Sequence, residues 1–183
     1  MDREHIISLL ESARRPIDVL TAGAAPTQID EEERRLGFSF PLELREWLMI
    51  SNSPKVGRCD FYGTERDYFK FEDAYEIFPE WIAKRWIPIL NDGCGNYWVM
   101  VTQEEFGEGR PIVFVEPMND REAAAYIVAS DLGHFLEFVL EEEILRPELG
   151  DFESTYWPFD REKVLAKDPN IVNFQNVRLP WEE

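Results

Sequence analysis

Residues 86–102, WIPILNDGCGNYWVMVT, decide the fold. Ile87, Ile89 and Leu90 stand on one side of a polar segment, and Tyr97, Trp98, Val99, Met100 and Val101 on the other. Between them run Asn91, Asp92, Gly93, Cys94, Gly95 and Asn96. β-branched and aromatic runs bounded by Asn, Asp and Gly read as two strands joined by a turn. Gly93 and Gly95 tolerate the positive φ that a tight connection needs. The second run is apolar at nearly every position, which predicts a strand covered on both faces. Pro88 has no N–H for a ladder, so the first strand is either at an edge or bulged there. A dinucleotide fingerprint would need a third glycine and a helix whose N-terminus meets the phosphates. Here the glycines lead into a β-rich run, so a hairpin turn is the better reading.

Working outward, helical patterns lie on both sides. Ile6, Leu9, Leu10 and Ala13 form one apolar stripe and predict a helix over 2–13, ended by Pro16. After the loop at 21–26, a second helix is expected to start near Thr27, with Asp30 completing an approximate capping box. Asp30, Glu31, Glu32 and Glu33 would favour its positive end, and Gly37 would close it. A third helix follows Pro41, with Leu44, Trp47 and Leu48 inward, and stops at 51–54. Residues 56–62 and 67–71 read as strands around Gly63, and 71–85 as helix interrupted by Pro79. Beyond the hairpin, Gly107, Gly109 and Pro111 mark a turn. Residues 112–115 form a strand beside it, 117–121 a loop and 124–128 a short strand. Ser130 is expected to cap a helix with Leu132, Phe135, Leu136, Val139 and Leu140 as its core stripe, closed by Arg146 and Pro147. The tail from Gly150 carries Tyr156, Trp157, Phe159 and a short helix, DREKVLAK, ended by Pro169. The sum is an α+β fold, an antiparallel sheet with N-terminal helices and a C-terminal helix packed against it.

Composition bounds the function. The 183 residues are enough for one domain with a real core, and no internal repeat interrupts them. With 44% apolar and 14% aromatic residues, burial can offset chain entropy. No run approaches the roughly 18 apolar residues of a membrane span, and the acidic, amphipathic N-terminus is unlike a secretory signal. Cys59 and Cys94 are too few for a disulfide framework and lack zinc-site spacing. A cytoplasmic protein with reduced thiols follows. The net charge is −18, from 37 acids against 19 bases. Such a surface repels nucleic acid and anionic membranes, and attracts a basic partner.

Catalysis needs a nucleophile or base oriented by a partner. His5 and His134, the two histidines, lie off the apolar stripes of their helices. Cys94, in the turn, has no histidine near it in sequence. Acidic pairs abound, at 30–33, 104–105, 141–143 and 182–183, but no spacing singles out a two-carboxylate hydrolase. Glu141, Glu142 and Glu143 break a local rule, since acids near a helix C-terminus oppose its dipole. The reading has no catalytic residue, no metal and no cofactor.

Several stretches together resemble a known family. They are FPLELREWLMISN at 40–52, WIPILNDGCGNYWVMV at 86–101, PIVFVEP at 111–117 and VASDLGHFLEFVL at 128–140, after an acid-rich helix ending in glycine. In the first, Pro41, Leu42, Leu44, Trp47, Leu48, Ser51 and Asn52 fall on the family pattern. In the second, Ile87, Pro88, Ile89, Asp92, Gly93, Gly95 and Asn96 do. Val113 to Glu116 and the set Ala129, Ser130, Leu132, Phe135, Leu136 and Val139 supply the rest. The order and spacing resemble the SUKH superfamily, in particular the domain named after the fungal cell-wall assembly regulator Smi/Knr. The resemblance covers about 22–145. It departs where a glycine is usual, at Leu90–Asn91 and at Ser53–Pro54.

The resemblance implies a non-enzymatic binding domain. Bacterial members of the superfamily look like immunity proteins that bind and block a polymorphic toxin encoded beside them, often a nuclease. Fungal relatives act as scaffolds, which leaves a scaffold or regulator without a toxin as the alternative. The expected organisation is one domain over 1–183, with 150–183 as an extension packed on it. Expected partner-contact residues are Asp60, Tyr62, Asp92, Asn96 and Glu116, with Glu141, Glu142 and Glu143 behind them. The expected partner is a protein, a basic toxin domain in the bacterial reading. The oligomeric state is left open.

Overall fold

The computed structural model describes every residue except 16–17, 67, 150–156 and 183, and for 147–149 the backbone alone. Pro16, Tyr156 and Glu183 therefore lie outside the described residues. The organising hairpin is present as β3 (Trp86–Asn91) and β4 (Tyr97–Val101). They pair in antiparallel register, Trp86 opposite Val101 and Asn91 opposite Tyr97, with a shift between Pro88 and Leu90. That shift is a bulge. It accommodates the missing donor of Pro88 inside a central strand rather than at an edge. Val99, Met100 and Val101 are fully buried, as a strand covered on both faces requires.

Four further strands complete a six-stranded antiparallel meander in the order β1 to β6. They are β1 (Lys55–Val56), β2 (Cys59–Phe61), β5 (Ile112–Val115) and β6 (Tyr126–Ala129). Residues 56–62 are thus a hairpin, turned at Gly57 with φ 57°, rather than one strand. The expected strand at 67–71 starts at a residue outside the described ones, and over 68–71 no strand is formed. A single bridge joins Lys70 to Gly63, and Phe71 opens helix α4 (Phe71–Ile77) instead. Of the aromatic residues that suggested a strand, Phe71 is buried and Phe69 packs on Tyr62, while Tyr68 is exposed. The last strand begins at Tyr126, two residues later than the sequence pattern gave.

Helices cover both faces. Trp98 of β4 meets Phe135 of α6 (Leu132–Leu149), and Phe61 of β2 meets Trp47 of α3 (Leu42–Ile50). On the opposite face Tyr97 meets Phe78 and Trp81, the latter in α5 (Glu80–Lys84), as side chains alternating along a strand must. α1 (Arg3–Ala13) lies against α6 and buries Ile6, Leu10 and Ala13.

The helix starts differ from expectation in instructive ways. α2 (Pro26–Leu36) begins at Pro26, whose missing N–H costs nothing at that position. Gln28 supplies the return bond, accepting from the Ala25 N–H at 2.7 Å, so Thr27 is not the cap. Asp30 bridges to Arg45 at 2.7 Å instead. Gly37 closes α2 at φ 80°, as expected. α6 is capped by Asp131, which accepts from His134 N–H at 3.0 Å, not by Ser130. It also runs past Arg146 and Pro147 to Leu149. Its stripe, Leu132, Phe135, Leu136, Val139 and Leu140, is buried throughout.

The chain after α6 folds back over the sheet. Trp157 stacks on Phe138 at 5.5 Å, and Phe159 meets Tyr126. α7 (Arg161–Lys167), capped by Asp160, leads into a 3₁₀ turn at Pro169–Asn173. Arg178 O accepts from Ile127 N–H at 2.9 Å along β6. Among the described residues no helix is long and apolar enough to cross a membrane.

Candidate binding surface

Strand register gathers several of the expected contact residues at one end of the sheet. Asp60 pairs with Asn91, Asn91 with Tyr97, and Tyr97 with Val115, so Asp60, Asp92, Asn96 and Glu116 sit along one row. Asp92 and Asn96 hold the hairpin turn. Asp92 Oδ1 accepts from Cys94 N–H at 2.7 Å and Asn96 N–H at 3.0 Å, and Oδ2 accepts from Asn96 Nδ2 at 2.7 Å. Asn91 Oδ1 takes the Gly93 N–H at 2.6 Å. These amides are committed to the turn's own side chains, which leaves the Gly-Cys-Gly segment with no donor array for a phosphate.

Glu116 is half-buried and accepts from Asn119 Nδ2 at 3.2 Å. It borders a cavity of about 210 Å³ lined by Asn119, Asp120, the alanines at 123–125 and Arg178. Beside it, burial pushes the Tyr126 hydroxyl up to about 12, and the fields of Glu116 and Asp92 add to the shift. Two carboxylates thus act on one tyrosine at this end of the sheet. Met118 is 92% exposed nearby in the chain, and Phe159 is half exposed against Tyr126.

The other expected residues are placed differently. Asp60 is held by Lys55 at 3.2 Å and Arg66 at 2.9 Å, so its charge is already matched. Tyr62 is 4% exposed, packed on Phe69 and Tyr97, with its hydroxyl pushed up by burial. Glu141 bonds to Lys167. Glu142 is buried, and desolvation raises its carboxyl above the usual range. Glu143 is 1% exposed and accepts from Arg146 Nε at 2.8 Å, Arg15 Nη2 at 3.3 Å and Arg58 N–H at 3.4 Å. Tyr62, Glu142 and Glu143 therefore offer a partner no accessible side chain. The apparent conflict of 141–143 with the helix dipole also dissolves, because α6 continues to Leu149.

The sequence reading did not find a second polar groove. It lies between α2 and the start of α4, about 360 Å³, lined by Glu31, Glu32, Arg35, Glu65, Lys70 and Glu72 among others. Arg35 bonds Glu32 at 2.6 Å and Glu72 at 2.5 Å across it. The acid run of α2 was its signal, but helix-dipole compensation explained that run equally well.

Cys59 is buried, its thiol pushed up by desolvation and the nearby Glu143; Cys94 is exposed, and both are free thiols. His5 is exposed, and His134 is bonded through Nδ1 to Asp131 at 2.8 Å. Among the described residues no group of three or more His, Cys, Asp or Glu could hold a metal ion.

A six-stranded antiparallel meander with helices on both faces defines an α+β fold. The family model of the SMI1 / KNR4 family (SUKH-1) matches residues 23–137, and the chain belongs to that family. The match runs from just before α2 into α6, leaving α1 and the segment after α6 outside it. No curated protein matches the chain. Among solved structures, the chain is similar to a protein from Pseudomonas syringae pv. tomato. The two share 19% identity and a TM-score of 0.49, over 61% of this chain and 81% of that one.

Proposed function

We propose that this chain is a non-enzymatic immunity protein, which binds a toxin domain encoded nearby and blocks it in the cytoplasm. Membership of the SMI1 / KNR4 family carries the reading. The net charge of −18 and the acid rim at Asp92 and Glu116 support a basic partner, such as a toxin that grips phosphates. The contacts of Trp157, Phe159 and Arg178 with the sheet and α6 support one domain over 1–183.

The test is the association rate with the toxin domain of the neighbouring gene at two salt concentrations. Glu116→Lys should slow association, and more so at low salt, because steering is screened by ions. Asp92→Asn should lower the melting temperature as well, since Asp92 holds the turn. An on-rate unchanged by Glu116→Lys at both salts, with the fold intact, would remove the sheet end from the interface. A neighbourhood with no toxin gene would favour the scaffold reading.

A further inference from the structure

The segment after α6 is anchored at a buried charge. Asp168 is 0% exposed. Its Oδ2 accepts from Ser130 N–H at 2.6 Å, at the start of α6, while Oδ1 has no hydrogen-bond partner. A buried carboxylate needs a counter-charge. Among the described residues, His134 Nδ1 stands within ion-pair range of Oδ1, 4.0 Å away, and it also meets Asp131 Oδ2 at 2.8 Å. We propose that His134 is a proton-operated latch, whose imidazolium keeps Asp168 buried and so holds the segment from Arg161 to Arg178 against α6 and β6.

The surroundings favour the charged ring. Asp131, the cap of α6, and Glu137 within it flank His134, and Asp168 approaches from the junction of α7 and the 3₁₀ turn. Asp2, which caps α1, and His5 of α1 line a cavity of about 290 Å³ together with Met1 and His134. His5 Nε2 stands 3.9 Å from Glu137. Lys167 of α7 is committed to Glu137 and Glu141. Glu43 of α3 adds its field at Asp131. The hydrogen bond to Asp131, then the fields of Asp131, Asp168 and Glu137, raise the His134 midpoint above its ordinary value against the opposing effect of burial. A raised midpoint in the folded state fixes the sign. The latch is complete below about pH 6.5, the unfolded value, and is lost as pH rises through the folded midpoint.

Two amides report on it: Ser130, bonded to Asp168, and Ile127, bonded to Arg178 O. The experiment is an NMR titration of the His134 ring in the full chain from pH 5 to 9. Amide exchange at both positions is measured alongside and corrected for base catalysis. Protection of both amides should fall about three- to tenfold as His134 loses its proton, the range for an ion pair with one partly exposed partner. His134→Gln should flatten that profile, and His5→Gln should leave it unchanged. Asp168→Asn should lower the His134 midpoint. Protection that stays constant through the wild-type titration overturns the proposal even if a variant fails to fold. So does a wild-type profile retained in folded His134→Gln.

Discussion

Glu143 is the side chain whose removal should report most directly on how the domain is held together. It is buried at the junction of three separate pieces of chain. Arg15 comes from the segment after α1, Arg146 from one turn further along α6, and the Arg58 amide from the β1–β2 turn. Cys59 Sγ lies 3.9 Å from Oε1. Breaking a fully buried ion pair costs about 3–5 kcal/mol because the surviving charge is stranded. Here the survivors are not fully buried: the side chains of Arg15 and Arg146 are 30% and 22% exposed and can rehydrate. The turn amide and the Cγ packing are lost in addition. Glu143→Ala should therefore cost about 2–4 kcal/mol. Glu143→Gln, which keeps the shape and one acceptor, should cost about 1–2 kcal/mol. Urea unfolding at pH 7 with an unchanged slope is the measurement. Gly57→Ala gives an independent check, because a Cβ there would strike the Glu143 carboxylate and the residue holds φ 57°. A loss under about 0.5 kcal/mol for Glu143→Ala would show that the carboxylate does not tie these segments together.

Three further outcomes are expected. Phe135→Ala, between Trp98 and Trp157, should cost about 3–5 kcal/mol by urea unfolding; a loss near zero would mean that the α6 stripe is not core. With a thiol reagent under native conditions, Cys94 should react at once and Cys59 only on unfolding, and mass spectrometry counting two fast labels would contradict the burial of Cys59. Glu43→Gln should stabilise the protein by about 1 kcal/mol at pH 7, because burial raises the Glu43 carboxyl and Oε1 has no partner. A raised midpoint means that stability is fully present below the unfolded value and lost as pH rises through the folded one, so the gain should vanish near pH 4; destabilisation at pH 7 would refute it.

The hairpin was legible because its pattern is dense. Two apolar runs around Asn, Asp and Gly leave little choice, and even the bulge at Pro88 follows from a missing donor. The α6 stripe was legible for the same reason. Residues 67–71 were not, since aromatic side chains look alike whether they line a strand or plug a core from a loop and a helix start. The caps failed for a different cause. Thr27 and Ser130 are good capping residues, but Pro26 and Asp131 stand beside them, and one residue of register decides which is used. Ser53, where the family usually has glycine, holds φ 58°. The departure thus marks a left-handed position that this chain fills at some strain. For the binding surface, sequence could assemble charges but not burial. Asp92 and Glu116 share a sheet end, whereas Glu143, equally acidic on paper, is enclosed by Arg146 of its own helix and Arg15 from a distant segment.

The meander itself has a consequence for how the molecule forms. Every strand pairs with its neighbours in sequence, so apart from the β2–β3 connection through α4 and α5 the sheet can be zipped up with short loop closures, each entropically cheap. The contact of α1 with α6 is of another kind, joining the two ends of the folded core across more than a hundred residues. Chain connectivity therefore divides the molecule into a part that can assemble early, around β3 and β4, and a clasp that closes late. Substitutions in the hairpin should act on the folding rate, and substitutions at Ile6 or Leu10 on the unfolding rate.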